Sequence, residues 1–473
     1  MRKSLFYTAI AVAMITSILP SAIADDHYAA KNGQTEAGSY TSWDTAASNI
    51  QDAVNAANTN DTVWVGAGRY TGPTNTVDRY GTNVVCIEKP LTLRSSNGVP
   101  ATTIIDGAGA YRGINCWYTN QNTTNRFVVD GFTISNCYAT NMGGGLLLFA
   151  YSANWTGEVR NCIISDNTVA WGTNAGVTTP FWNQGSRGGG ILCFGYPGAA
   201  GFVISNCTIR NNRALHRGTA EFAQGGGIWS LTFGMRQIFG CRIESNSASV
   251  GGGCYFNYSY ANTKAMIENC TFAGNRTVDS GVGAKLNNII GGAITFVNQG
   301  YLFCRNVLFY DNYSVGRGGA IYSDVTQEFY NCTIVNNQLD GTVGQQGSAI
   351  FTTRDLVACN TIIYSNAYDT WEIWSPGINA FFTNCCLTST NIPYTGVTNG
   401  AQGSGNFAAN PGFRNWSGRN FRLIQNSPCV NAGFNQAWMT NAVDLDGRTR
   451  VRYGAVDLGA YEVIYRGTIY GMR

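Results

Sequence analysis

Few side chains in this sequence of 473 residues could supply acid or base catalysis near neutral pH. His27 and His216 are the two histidines, so a Ser-His-Asp triad would depend on a single candidate ring. Asp166 and Asp311 occupy the same position of a recurring phrase, four copies apart. At the spacing of stacked strands they would lie about 19 Å apart, whereas a glycosidase pair needs roughly 5 to 9.5 Å. The catalytic residues, if there are any, stay unknown from the sequence.

Aromatic and charged side chains concentrate instead in segments of variable length. Residues 168–187, 213–224 and 276–290 form long insertions, whereas the equivalent segment at 247–250 is short. If all project from one side of a regular fold, the short segment leaves a notch about 10 Å wide. Sugar recognition uses aromatic faces beside a few polar groups. The predicted ligand-binding residues are Trp171, Trp182, His216, Arg217, Glu221 and Lys285. The alternative is that these loops only cover each other.

Fifteen cysteines form a second group with possible chemistry. Six share one position of the recurring phrase, in phase with an apolar residue two positions later: Cys162, Cys207, Cys241, Cys270, Cys332 and Cys385. This phase predicts a ladder of core thiols that pack as small hydrophobic groups. Scattered disulfides are the alternative, and the odd total leaves at least one cysteine unpaired. The spacings are not those of a closed zinc site, and we predict no metal and no cofactor.

Two further patterns of charge have ordinary structural interpretations. Arg210 and Glu244 share a repeat position on neighbouring copies, which predicts an exposed ion pair between them. Asp444-x-Asp446-Gly447 has the start of a calcium loop, but most other ligands of such a loop are missing, so we predict a plain turn.

The elements that position these residues come from two interleaved repeats. One phrase, typified by Asn-Cys-Thr-Ile, occurs at 161–167, 206–212, 240–246, 269–275, 306–312, 331–337 and 360–366. The other begins with Gly-Gly or Gly-Ser at 188, 225, 251, 291, 318 and 347. Alternating apolar residues predict a strand with one buried face, and the closing Asn is predicted to take the left-handed backbone of a corner. A shortest repeat of 24 to 25 residues fits three short strands and three corners. These features predict an all-β chain, a right-handed parallel β-helix or solenoid.

The two ends differ from the repeats. Residues 1–24 have a basic start, an apolar run and a small-residue cleavage site, so we expect a signal peptide removed after Ala24. Ile50, Val54 and Ala57 lie on one helical face, which predicts a short capping helix. The predicted domains are a cap at 25–75, β-helix repeats at 76–390 and a C-terminal module at 391–473. No second run is long and apolar enough for a transmembrane segment. Net charge is +3 with 12% charged residues, which argues against nucleic acid as a partner.

Several motifs carry a resemblance to known proteins. WDTAA at 43–47, IQDAV at 50–54 and DTVWV at 61–65 resemble the start of secreted bacterial β-helix proteins of the pectin-lyase-like superfamily. SPCVNAG at 427–433 and DLGAYE at 457–462 resemble the choice-of-anchor Q module of such proteins. The GGAI and FxxN phrases are similar to repeats of polymorphic outer-membrane proteins. The resemblance implies the fold and says little about activity.

Three function classes follow. The Gly-His-Gly signature of polygalacturonases and the Trp-Ile-Asp-His signature of pectate lyases are missing from the sequence. We therefore predict a secreted or surface-associated, non-catalytic protein that binds a polysaccharide or a cell-envelope component. The alternative is a carbohydrate-active enzyme, most plausibly a polysaccharide lyase with Arg217 or Lys285 as base. A purely structural secreted protein is the third class.

Overall fold

Four long sheets form the walls of a right-handed parallel β-helix. The computed structural model describes residues 24–32, 34–72, 77–78, 81–118, 125–150, 155–171, 185–195, 201–215, 223–232, 234, 236–257, 264–278, 289–340, 346–366, 372–375, 379–389 and 403–464. Within these residues, sheet 1 contains Asp26–Ala29, Thr62–Val65, Thr92–Ser95, Asn125–Asp130, Trp155–Arg160, Gly201–Ser205, Arg236–Phe239, Lys264–Glu268, Tyr301–Arg305, Thr326–Tyr330, Leu356–Cys359 and Ala380–Thr383. Sheet 2 contains Gly68–Thr71, Thr103–Asp106, Thr133–Ser135, Ile163–Ser165, Thr208–Arg210, Arg242–Glu244, Thr271–Ala273, Leu308–Tyr310, Thr333–Val335, Ile362–Tyr364, Cys386–Leu387 and Phe407–Ala408.

The other two walls are shorter. Sheet 3 contains Tyr138–Ala139, Thr168–Ala170, Arg213–Leu215, Ser247–Ala248, Arg276–Thr277, Tyr313–Ser314 and Gln338–Leu339. Sheet 4 contains Val77–Asp78, Gly81–Ile87, Arg112–Tyr118, Leu146–Ala150, Ile191–Gly195, Ile228–Leu231, Cys254–Asn257, Ile294–Val297, Ile321–Ser323, Ile350–Thr352 and Ile373–Trp374. A separate antiparallel pair joins Phe413–Asn415 to Asn420–Leu423.

Seven coils visit the sheets in the order 1, 2, 3, 4, as in Trp155–Arg160, Ile163–Ser165, Thr168–Ala170 and Ile191–Gly195, whereas the described coils at either end have no sheet 3 strand. The prediction of a right-handed parallel β-helix is confirmed. The expected count of three strands a coil holds for the described end coils and was wrong for the other seven, where sheets 2 and 3 are separate strands on either side of a two-residue corner such as 166–167.

The opening and closing asparagines of the repeat phrase have different structural roles. The opening Asn, such as Asn161 with φ 53°, takes the left-handed backbone between sheets 1 and 2. At the next corner that backbone belongs to the residue before the closing Asn, such as Asp166 with φ 60°. The expectation that the closing Asn is left-handed was therefore wrong. Its side chain points inward, and seven of these residues form one buried ladder: Asn167, Asn212, Asn246, Asn275, Asn312, Asn337 and Asn366.

Glycine is required in the Gly-Gly phrase because the backbone is tightly packed where each coil enters sheet 4. Gly291 has φ 71°, which favours glycine. A Cβ on Gly292 would lie 2.1 Å from the carbonyl oxygen of Gly319 on the next coil. The first glycine of the phrase therefore supplies the turn, and the second lets successive coils approach each other.

The thiols lie in the core, as the repeat phase indicated. All fifteen cysteines are buried, and the structure holds them as free thiols. In the ladder, the Cys207 Sγ donates to the Ser205 carbonyl at 3.1 Å. Burial raises the pKa of Cys332 to about 12 and that of Cys359 to about 11. A thiol that stays protonated is a poor nucleophile and a poor metal ligand, so Cys332 and Cys359 act as packing groups.

The N-terminal end of the solenoid is closed by a short helix. Ile50–Ala56 begins after Asn49, whose side chain accepts from the Asp52 amide at 2.9 Å, and it buries Ile50 and Val54. His27 lies in the neighbouring strand and is buried, where its Nε2 meets Asp61 Oδ2 at 3.2 Å. His27 is thus a structural residue of this end. The described residues contain no helix long and apolar enough to span a membrane.

The C-terminal segment, residues 403–464, packs on the outside of sheet 2. In the middle coils that outer surface is polar at Thr208 and Arg242, but in the last coils it becomes apolar. Leu308, Val335 and Ile362 there join one buried cluster with Phe421, Leu423, Leu458 and Tyr461 from the C-terminal segment. The surface changes character where it is covered, so the segment is part of the folded structure.

A buried ion pair fixes this segment to the coils. Arg450 is fully buried, and its Nη1 donates to Glu462 Oε1 at 2.8 Å. The same guanidinium donates to Asn306 Oδ1 at 2.8 Å and to the Gly459 carbonyl at 2.8 Å. Asp444 also has a structural role, because its carboxylate accepts from the amides of Asp446, Arg448 and Glu462.

This buried cluster makes stability depend on pH. Burial raises the pKa of Glu462 to about 8, although Arg450 opposes the shift, and it also raises the pKa of Asp457. Because the folded pKa of Glu462 exceeds its ordinary value of 4.5, its stabilising contribution is complete below that value and is lost as pH rises toward the folded pKa. We expect the urea concentration at the midpoint of unfolding to decrease as pH is raised from about 5 to about 8. The decrease should be smaller in Glu462→Gln. A rise over this interval, or an equal fall in the variant, would contradict the assignment.

Candidate functional site

The candidate site lies on the outer surface where sheets 2 and 3 meet. Four successive coils place a small residue with positive φ at this corner: Asp166, Asn211, Ser245 and Gly274. Two residues later, the first side chain of each sheet 3 strand lies in register with its neighbours: Thr168, Arg213, Ser247 and Arg276. Parallel stacking thus turns two sequence positions, repeated four times, into two adjacent rows.

These eight residues line a cleft of about 590 Å³. Beyond it, the next coil closes both rows. Asp311 pairs with Arg419 of the C-terminal segment at 2.6 Å, and the Tyr313 hydroxyl donates to Asp340 at 2.5 Å. Burial, helped by Asp340, raises the pKa of Tyr313 to about 12. The cleft therefore ends where the paired residues begin.

Two cations dominate the electrostatics of the cleft. Arg213 and Arg276 are both exposed, and neither forms an ion pair within the described part of the chain. Ser247 lies between them in the register, so their strands are two spacings, about 10 Å, apart. Asp166 is the acidic residue of the lining, and its Oδ1 accepts from Asn211 Nδ2 at 3.2 Å. The cleft can offer two guanidinium groups, and several hydroxyl and amide groups, to a ligand with carboxylates.

The structure describes little of the predicted ligand site. Trp171 follows Thr168–Ala170, is half-buried, and donates its backbone N–H to Ser186 Oγ at 2.6 Å. The other predicted residues, Trp182, His216, Arg217, Glu221 and Lys285, lie outside the described residues. Arg213 and Arg276 open two of the long insertions, and Ser247 opens the short one, so the cleft adjoins these segments.

Sequence reasoning did not select most of the lining. The pattern that could have indicated the lining is at the sixth position of the Asn-Cys-Thr-Ile phrase. In these four copies that position is small or polar: Asp166, Asn211, Ser245 and Gly274. Without the knowledge that a corner separates sheets 2 and 3, this position could not be assigned to the outer surface.

Other predicted contacts have mixed outcomes. Arg210 and Glu244 are in register on adjacent strands, as expected. The predicted ion pair between them was wrong, because Glu244 pairs with Arg242 on its own strand at 2.5 Å. Asp166 and Asp311 lie four strands apart. Among the described residues, no group of three or more His, Cys, Asp and Glu side chains could hold a metal ion.

Comparisons with known proteins agree with the fold. No family model and no curated protein sequence matches the chain. Among solved structures, the chain is similar to pectate lyase Pel9A, with 15% identity, a TM-score of 0.50, and coverage of 93% of this chain and 96% of that one. A rhamnogalacturonan lyase matches with 13% identity and a TM-score of 0.37, covering 90% of this chain and 94% of that one. Identity this low supports a shared fold alone.

Proposed function

We propose that this chain is a secreted or surface-associated protein that binds an acidic polysaccharide in the cleft without cleaving it. The observation that carries the proposal is the pair Arg213 and Arg276, two exposed cations without ion-pair partners among the described residues. Carboxylates of a polyuronate chain are their natural ligands, because a guanidinium forms bidentate hydrogen bonds with a carboxylate. Export by the N-terminal 24 residues belongs to the same proposal.

Among the described residues of the lining, Asp166 is the one side chain that could act as a catalytic base. β-Elimination from a uronate needs a group that removes a proton and cations that stabilise the resulting charge. Arg213 and Arg276 could supply the second requirement, but an arginine stays protonated near neutral pH. Asp166 is hydrogen-bonded to Asn211. The competing function is a polysaccharide lyase, for which the sequence offered Arg217 and Lys285 as bases; Arg217 meets the same objection as the cleft arginines, which leaves Lys285.

The test is a screen of the purified protein against soluble acidic polysaccharides, with binding and the ultraviolet absorbance of unsaturated product followed together. We expect binding that weakens as salt is added, since exposed charges are screened, and no unsaturated product. Arg213→Ala and Arg276→Ala should each weaken binding by about 1 to 2 kcal/mol.

The matched control is Arg452→Ala, which removes a cation from the C-terminal segment away from the cleft and should leave binding unchanged. Lyase turnover in the wild type would replace the binding proposal with the competing function. Equal losses of affinity in all three variants would show that general charge, and not the cleft, attracts the polysaccharide.

A further inference from the structure

The outer surface of sheet 1 differs from that of the other walls. Outward rings of sheet 4 are buried in a second apolar cluster, with Trp229 only 2% exposed. The last strands of sheet 2 are covered by the C-terminal segment. On sheet 1, in contrast, Phe239 is 39% exposed and Phe381 is 41% exposed. This wall presents large aromatic side chains to solvent.

Four outward rings make up what we call the aromatic strip: Phe239, Phe303, Tyr330 and Phe381. Phe303 and Tyr330 lie on adjacent strands, with ring centroids 5.5 Å apart. Phe239 and Phe381 lie at the two ends, five strand steps apart. The strip is therefore about 24 Å long at the usual strand spacing, and its rings fall in two parallel rows two residues apart, Phe239 with Tyr330 and Phe303 with Phe381.

Most charges beside the strip already have a partner. Glu268 pairs with Arg305 at 2.7 Å. Glu328 accepts from the Tyr330 hydroxyl at 3.0 Å, and the Lys264 ammonium lies 5.4 Å from the centroid of the Tyr301 ring. With Asp355, which lies in the same row as Lys264, the wall carries two cations and three carboxylates, so nothing here selects an acidic ligand. The polar groups can still exchange hydrogen bonds with sugar hydroxyls.

The C-terminal segment supplies one side of this surface. The Trp438 ring lies 4.5 Å from the Arg305 guanidinium, and Arg305 also lies 5.7 Å from the Phe303 ring. Arg305 is thus held between two aromatic rings and a carboxylate. The polar groups beside the strip are fixed before any ligand arrives, which lowers the entropy lost on binding.

We propose that the aromatic strip is a second binding surface, for a neutral polysaccharide chain that lies along the solenoid axis. Pyranose rings expose apolar C–H faces that stack on aromatic side chains, and the strand spacing is close to the length of one sugar unit. The absence of excess positive charge among the described residues of this wall distinguishes its ligand from the acidic chain proposed for the cleft. The two surfaces lie on different walls, so either binding proposal can fail while the other holds.

Affinity electrophoresis tests this proposal, with gels that contain hydroxyethyl cellulose, galactomannan or polygalacturonate. We expect at least one neutral polymer to retard the wild type. Phe239→Ala combined with Phe381→Ala should weaken that retardation about fivefold to tenfold, since two stacking contacts are lost. Both rings are exposed, so their removal should preserve folding, which circular dichroism checks. Phe303→Ala gives a second, independent loss.

Two controls separate this surface from others. Trp43→Ala removes an exposed ring at the N-terminal end and should not change retardation. Arg213→Ala with Arg276→Ala should affect only the polygalacturonate gel. The proposal is overturned if neither neutral polymer retards the wild type. It is also overturned if a neutral polymer retards the strip variants as strongly as it retards the wild type. It is also overturned if the strip variants only convert a self-associated protein to a monomer, since the occupant would then be a second copy of the chain.

Discussion

Replacing Arg450 with methionine is expected to lower the free energy of unfolding by about 3 to 5 kcal/mol, because several buried acceptors lose their donor and each such loss costs about 1 to 3 kcal/mol. The variant leaves Glu462 Oε1, Asn306 Oδ1 and the Gly459 carbonyl without the donor they share. Methionine fills a similar volume, so loss of these hydrogen bonds should dominate. Urea unfolding measures the total, and hydrogen exchange of residues 413–463 shows whether the C-terminal segment detaches first.

The matched control is Arg419→Ala, which removes the partly exposed arginine of the Asp311 pair. Such pairs contribute about 0 to 1 kcal/mol, so this change should be small. If the Arg450 and Arg419 variants lost similar stability, the buried pair would not be the attachment point of the C-terminal segment.

The second large effect is expected at the middle of the asparagine ladder. Asn246 Nδ2 donates to the Ile209 carbonyl and to Asn275 Oδ1, each at 2.9 Å. Its Oδ1 accepts from both the backbone N–H and the side chain of Asn212 at 3.0 Å. Asn246→Ala leaves several buried groups unpaired, and each costs about 1 to 3 kcal/mol. We expect a loss of about 3 kcal/mol or more in urea unfolding, together with faster amide exchange in the two adjoining coils.

An exposed asparagine provides the comparison. Asn435 donates to the Gly454 carbonyl at the surface, and water can replace that bond, so Asn435→Ala should cost about 1 kcal/mol or less. A ladder variant as stable as this control would mean that neighbouring coils relax enough to satisfy the freed groups.

The sequence was sufficient for the fold because the repeat encodes local requirements. Alternation at Cys162 and Ile164 defines an inward face, and Gly291 marks a turn. It was not sufficient to separate the roles of Asp166 and Asn167. Both residue types tolerate left-handed backbone, and only the stacked coils show which one takes it.

The candidate site was less accessible from the sequence for a different reason. The insertions contain the conspicuous side chains Trp182 and His216, whereas six of the eight cleft residues have short side chains at regular repeat positions. Arg213 and Arg276 are separated by 62 intervening residues in sequence and become neighbours only because parallel strands stack in register. Strand register correctly predicts that Glu244 lies beside Arg210. The ion pair that Glu244 forms with Arg242 depends on side-chain rotamers, which register does not determine.

The central claim is that the cleft holds an acidic glycan intact. The most direct measurement is a crystal structure of the protein with a galacturonate oligosaccharide, together with analysis of the sugar recovered from the crystals. We expect an uncleaved chain in the cleft, with carboxylates hydrogen-bonded to Arg213 and Arg276. An oligosaccharide bound away from both arginines, or recovered as an unsaturated product, would contradict the claim.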